Sequence, residues 1–252
     1  MLILSVVTGG LIVVFLQNSQ QKNIIKLLLA LSGGFLIALT FLHLIPEIYL
    51  HHGVEIGYYV LLGFLLQLFL EYFSGGVEHG HVHKHNDLGK IPWGLFISLS
   101  IHAFIEGIPL EAEFHHIIHD HGDEAVKHVH HHHHHHHGDR EIKGLLLGVV
   151  LHNIPIGIAL MTMMLANNFK KMKAWTVLLA FAVMGPLGVL FGHFYAGKLA
   201  IDLDIILAIV VGMFLHISTT IIFEAAENHK FNLLKLLSII FGVLLAVAVI
   251  QF

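Results

Sequence analysis

Two short segments of the chain set metal-binding side chains inside long apolar runs. In Ser100-Ile101-His102-Ala103-Phe104-Ile105-Glu106-Gly107-Ile108-Pro109, an imidazole and a carboxylate stand four residues apart. On a helix that spacing puts both on one face with Cβ atoms about 6 Å apart, close enough to share one divalent cation. A histidine–glutamate hydrogen bond between helices would use the same spacing, and the pair alone does not decide between the two. In Leu151-His152-Asn153-Ile154-Pro155-Ile156-Gly157, a histidine and an amide precede a proline. Proline removes one backbone hydrogen bond and crowds the carbonyl four residues back, here Leu151, so a kink is expected beside His152. In a bilayer such a disruption persists only where protein or a wet cavity satisfies the backbone. A cation site formed by His152, Asn153 and the loosened turn is one reading; a packing kink with a satisfied histidine is the other. Pro109 is expected to act in the same way on Ile105, next to Glu106.

Further candidates lie toward the ends of apolar runs. Phe41-Leu42-His43-Leu44-Ile45-Pro46-Glu47 closes one of them, and His216 with Glu224 occupies another. His43 and Glu47 on one side, His216 and Glu224 on the other, are placed to line an entrance and an exit for cations. Side chains snorkelling to the interface are the competing reading, and His193 and His229 are read that way. Two linkers are rich in histidine. About 74–91 carries His79, His81, His83 and His85. About 114–141 holds thirteen of the 25 histidines, including the unbroken run His130, His131, His132, His133, His134, His135, His136 and His137. An engineered tag is the plain alternative for that run, but tags sit at termini and this one lies among other histidines. With few apolar residues to build a core, the linker is expected to be disordered without metal.

The elements that must hold these residues follow from composition. Of 252 residues, 56 % are hydrophobic and 12 % charged, with mean hydropathy +0.79. Thirteen bases and seventeen acids cannot cover a soluble surface of this size, so most of the chain must face lipid. No cysteine is present, which excludes disulfides, thiolate zinc sites and cysteine nucleophiles. A net charge of −4 offers no basic face to nucleic acid. A membrane core needs about 20 apolar residues per helix. Eight segments qualify, at about 1–17, 24–46, 56–73, 92–113, 142–166, 173–197, 202–225 and 233–252. None alternates as a barrel strand would. The first lacks a basic leader and a small-residue cleavage site and is read as a retained helix. Nine of the thirteen bases fall in the odd-numbered loops: Lys22, Lys26, Lys84, Lys90, Lys170, Lys171, Lys173, Lys230 and Lys235. By the positive-inside rule those loops are cytoplasmic, both termini are extracytoplasmic, and the 74–91 and 114–141 linkers lie inside and outside respectively. The expected fold is thus one all-α transmembrane domain, 1–252, with eight spans.

On these motifs the chain resembles the ZIP (Zrt/Irt-like protein) family of divalent metal transporters, over essentially its whole length. His102-Ala103-Phe104-Ile105-Glu106-Gly107 is similar to the family's fourth-helix His-x-x-x-(Glu/Asp)-Gly. His152-Asn153-Ile154-Pro155 is similar to its fifth-helix motif, and His43-Leu44-Ile45-Pro46-Glu47 to its second-helix ending. The resemblance implies a metal held between the fourth and fifth helices and uptake toward the cytoplasm. It also implies an inverted relation between helices 1–3 and 6–8, and elevator-like movement of helices 1, 4, 5 and 6. Two positions depart from members with a two-metal centre. Ile156 stands where many have a ligand four residues after the fifth-helix histidine, and Ala103 stands where some have asparagine. A single-metal site of His102, Glu106 and His152 is implied, with Asn153 as a weak fourth ligand.

The ion is substrate rather than cofactor. Zinc is the family's usual cargo, but two imidazoles and a carboxylate also suit Fe²⁺, Mn²⁺, Co²⁺ or Cd²⁺. The expected partners are divalent metal ions and the lipid bilayer of a plasma or inner cell membrane, with a homodimer left open. In the favoured scheme, outside metal is gathered by the 114–141 histidines, sheds water into the buried site and is released inward. The 79–85 cluster then receives or senses it. Protonation near pH 5–6 should weaken binding. An intramembrane zinc hydrolase would use the same three ligands with an activated water. Against it, there is no His-Glu-x-x-His pair and no second general base at the kinks. A proton-coupled efflux carrier would be expected to carry an Asp ligand, and Asp202 and Asp204 lie only at the start of the seventh segment.

Overall fold

The computed structural model describes residues 1–15, 21–74, 93–111, 138–195, 198, 202–224 and 233–251. Among them the regular elements are all helical. In chain order they are α1 (Leu2–Phe15), α2 (Gln21–Leu39), α3 (Ile45–His52), α4 (Gly57–Ser74), α5 (Trp93–Gly107), α6 (Gly138–Ala166), α7 (Lys171–Ala182), α8 (Met184–Tyr195), α9 (Leu203–Glu224) and α10 (Leu233–Gln251). Seven stretches of described helix are long and apolar enough to cross a membrane. They run Lys26–Leu50, Gly53–Phe73, Trp93–Leu110, Gly144–Ala166, Lys171–Tyr195, Leu203–Phe223 and Leu233–Gln251, and match the second to eighth expected spans. The first, α1, has 14 residues, about 21 Å of helix, and is shorter than a bilayer core.

The prolines act differently from one another. The second span continues past the expected end at residue 46, because a π turn, Thr40–Leu44, joins α2 to α3. The Ile45 amide reaches back five residues to the Thr40 carbonyl, just before Pro46 withholds its own donor. Gly53, at φ +65°, then ends α3 in a conformation that side chains disfavour. Pro109 lies in a tightened 3₁₀ turn, Ile108–Leu110, so α5 stops one residue beyond Glu106. Pro155 does not interrupt its helix, since α6 runs unbroken from Gly138 to Ala166. The sixth span is divided at Val183, two residues ahead of Gly185-Pro186.

The helices associate in four principal pairs: α2 with α10, α4 with α9, α1 with α6, and α5 with α8. Within a membrane, small residues allow such backbone-to-backbone approach. A side chain at Gly34 would strike the Ile239 carbonyl, and one at Gly242 would strike that of Leu31, so α2 and α10 interlock reciprocally. Gly63 and Gly212 interlock α4 with α9 in the same manner. Gly9 with Gly157 and Gly107 with Gly188 do so for the other two pairs. In span numbers the pairs are 2/8, 3/7, 1/5 and 4/6. Exchanging 1 with 6, 2 with 7, 3 with 8 and 4 with 5 turns each pair into another, as an inverted relation of spans 1–3 and 6–8 would. α4 also packs on α5, and α2 on α6, which brings the polar faces of the fourth and fifth spans to the centre.

Candidate metal site

His102 and Glu106 project from the same face of α5, as their spacing requires, and both are fully buried. His102 Nε2 lies 2.7 Å from Glu106 Oε1. The other ring nitrogen, Nδ1, lies 2.8 Å from Oε1 of Gln67 on α4, also fully buried. His152 comes from α6, across the bundle. Its ring stands edge-on to that of His102, with centroids 5.9 Å apart. His102, Glu106 and His152 each offer a ligand atom within 4.8 Å of the others. Tetrahedral ligands on zinc sit about 3.4 Å apart at the usual bond lengths, so only side-chain adjustment separates this cluster from a coordinated one.

The electrostatics favour a cation. Glu106 Oε2 and Asn153 Oδ1 are buried and accept no hydrogen bond among the described residues. A buried carboxylate is costly unless paired and hydrogen-bonded, and a dication between two imidazoles would meet that need. Asn153 itself is buried beside His152 in the chain. His102 Nε2 and Glu106 Oε1 approach as an ion pair would, within one helix, but neither atom has a hydrogen-bond partner among the described residues. His152 adds a third potential ligand atom that such a pair alone would not require.

The remaining candidates are more dispersed. His216 on α9 is buried and lies 3.4 Å from Oε2 of Glu71 on α4, with the Phe64 ring edge-on to it. His43 lies in the π turn and Glu47 in the first turn of α3, both half-buried and neither part of the three-residue cluster. Glu224 is the last residue of α9, and its side chain is outside the described set. His79, His81, His83 and His85, and the run from His130 to His137, fall outside the described residues. His193 is exposed, and its Nδ1 lies 3.2 Å from Glu111 Oε1.

Sequence reasoning missed Gln67 and Glu71. The signal was available, since an amide and a carboxylate four residues apart stand in an otherwise apolar segment. It also missed a second cluster at the bundle's end, where His52 Nε2 meets Asp204 Oδ2 at 2.7 Å with Asp202 alongside. The Asp204 hydrogen bond, with the charges of both aspartates, holds His52 above the ordinary histidine pKa against the opposing effect of burial.

Comparison with known proteins bears on the chain as a whole. Residues 136–250 match the family model described as ZIP Zinc transporter, a stretch that contains His152, all of α6 to α9 and α10 as far as residue 250. The chain is 24 % identical over 312 aligned positions to a protein of Plasmodium falciparum (isolate 3D7) named Zinc transporter ZIP1, covering 94 % of this chain and 81 % of that one.

Proposed function

We propose that the chain is a member of the ZIP family of metal transporters, which the match of residues 136–250 and the likeness to a zinc transporter support, and that it carries zinc into the cytoplasm through one ion site between the fourth and fifth spans. The family is one of transporters and not of enzymes, so the hydrolase reading falls. The observation that carries the site is the buried meeting of His102, Glu106 and His152, with Glu106 short of hydrogen-bond donors.

In this reading the arriving ion exchanges water for two imidazole nitrogens and one carboxylate oxygen, with Asn153 as a weak fourth ligand. The ion would enter between His102 Nε2 and Glu106 Oε1, now 2.7 Å apart, and bond to both. A metal on His102 Nε2 requires the proton to sit on Nδ1, where Gln67 Oε1 accepts it. Gln67 therefore fixes both the tautomer and the ring orientation. From Gln67 the polar face of α4 leads one turn on to Glu71, which faces His216 on α9, and Glu224 ends that helix. These groups form the exit toward the inner end. His43 and Glu47 stand on the opposite, extracytoplasmic approach, and the 114–141 histidines concentrate dilute metal there. The ligand set also accepts Fe²⁺, Mn²⁺, Co²⁺ or Cd²⁺.

Uptake of labelled zinc by cells expressing the chain tests the direction. Cells with the wild-type protein should accumulate more zinc than cells carrying Glu106→Gln at matched expression. Accumulation below that of the variant would mean export and reverse the reading.

A further inference from the structure

The cluster at the end of the bundle has a ligand set of its own. His52 is the last residue of α3, and the Gly53 turn presents its ring, 30 % exposed, toward the start of α9. Asp202 precedes α9, and its Oδ1 accepts the backbone N–H of Asp204 at 3.0 Å, which fixes the turn between the two aspartates. Asp204, in the first turn of α9, brings Oδ2 to 2.7 Å from His52 Nε2. The three side chains each offer a ligand atom within 4.8 Å of the others, although 150 residues of chain separate His52 from Asp202.

We propose that His52, Asp202 and Asp204 form a second divalent-cation site, separate from the buried one and open to solvent. A histidine–aspartate ion pair alone would need only Asp204. The second carboxylate adds a negative charge that one imidazolium cannot balance, and a dication can. The imidazole directs the choice of metal. Ca²⁺ and Mg²⁺ take oxygen ligands, whereas a nitrogen with two carboxylates suits Zn²⁺ and its first-row neighbours. Its place is also informative. α3 and α9 belong to spans 2 and 7, within the group formed by α2, α4, α9 and α10. An ion there ties two elements of one packing group together and leaves the α1/α6 and α5/α8 pairs free to shift. The same end of the bundle carries the start of α6, which directly follows the run from His130 to His137. The site therefore lies where metal held by that linker would be delivered, and it would act as an accessory holding point ahead of the buried ligands.

The test is residue-resolved, so the other histidines of the chain do not confuse it. The full-length protein in detergent is treated with diethyl pyrocarbonate across a Zn²⁺ titration, and modification of His52 is quantified by peptide mass mapping. Zn²⁺ at ten times its Kd leaves about one site in eleven empty, so His52 modification should slow about tenfold. Mg²⁺ should give no protection. Zinc protection should vanish in Asp202→Asn/Asp204→Asn. Asp202→Asn alone, which keeps the ion pair, should require more zinc for the same protection. If His52 in the wild type reacts at a rate indifferent to Zn²⁺, the cluster is an ion pair only. Undiminished zinc protection in the double variant would equally overturn the assignment. Neither result bears on transport through His102, Glu106 and His152.

Discussion

His102 is held on both ring nitrogens, by Gln67 through Nδ1 and by Glu106 through Nε2. Only the second contact is in competition with a metal, so the two neighbours have different consequences when altered. Gln67→Leu removes the acceptor that keeps the Nδ1 proton in place while leaving all three ligands. Loss of such an outer partner weakens metal binding about 10–100-fold. The expected outcome is a rise of that order in the KM for zinc flux, with Gln67→Glu, which still accepts, closer to wild type. An unchanged KM in Gln67→Leu would mean that packing alone orients His102. The legibility of these residues follows from geometry. His102 and Glu106 lie four apart on one helix, so local spacing identifies them as a pair. Gln67 and Glu71 gain their meaning from helices that only the tertiary fold brings beside them, and His52 meets Asp204 across a separation no periodicity encodes.

At the scale of the elements, reciprocal glycine contacts set the helix spacing that the site depends on. A leucine at Gly34 would drive its Cβ into the Ile239 carbonyl, and backbone cannot yield as a side chain can. Overpacking of this kind costs about 1–3 kcal/mol. Gly34→Leu should therefore lower the thermal unfolding midpoint of the protein in detergent. Gly144→Ala should not, because there the added carbon meets the flexible end of Leu39 at 3.1 Å. Equal stability of the two variants would refute the interlock. Hydropathy located the second to eighth spans to within a few residues, since run length is a direct reading of membrane thickness. Local backbone behaviour was less accessible. A proline's effect depends on what surrounds it, so Pro155 sits inside a continuous helix, Pro109 tightens a turn, and Pro46 follows a π turn.

For the whole molecule, polar contacts tie span ends together. His52 with Asp204 joins the end of the second span to the start of the seventh, and Glu111 with His193 joins the ends of the fourth and sixth. Lysine placement leads us to propose that this end lies outside the cell together with both termini. The absence of native cysteine makes that orientation directly measurable. In intact cells an impermeant maleimide should label Val54→Cys and Phe252→Cys, and should reach Asn18→Cys only after permeabilisation. The reverse pattern would invert the topology and with it the roles given to the two histidine-rich linkers.

In the proposed function the ion crosses by way of His102, Glu106 and His152. That route is tested most directly by Zn²⁺ flux into proteoliposomes loaded with a zinc-sensitive dye, comparing wild type with His102→Ala and Glu106→Gln. Flux should be saturable in the wild type and abolished in both variants, while each retains its helical content and monodisperse profile. Saturable flux persisting at the wild-type rate in either well-folded variant would contradict that route.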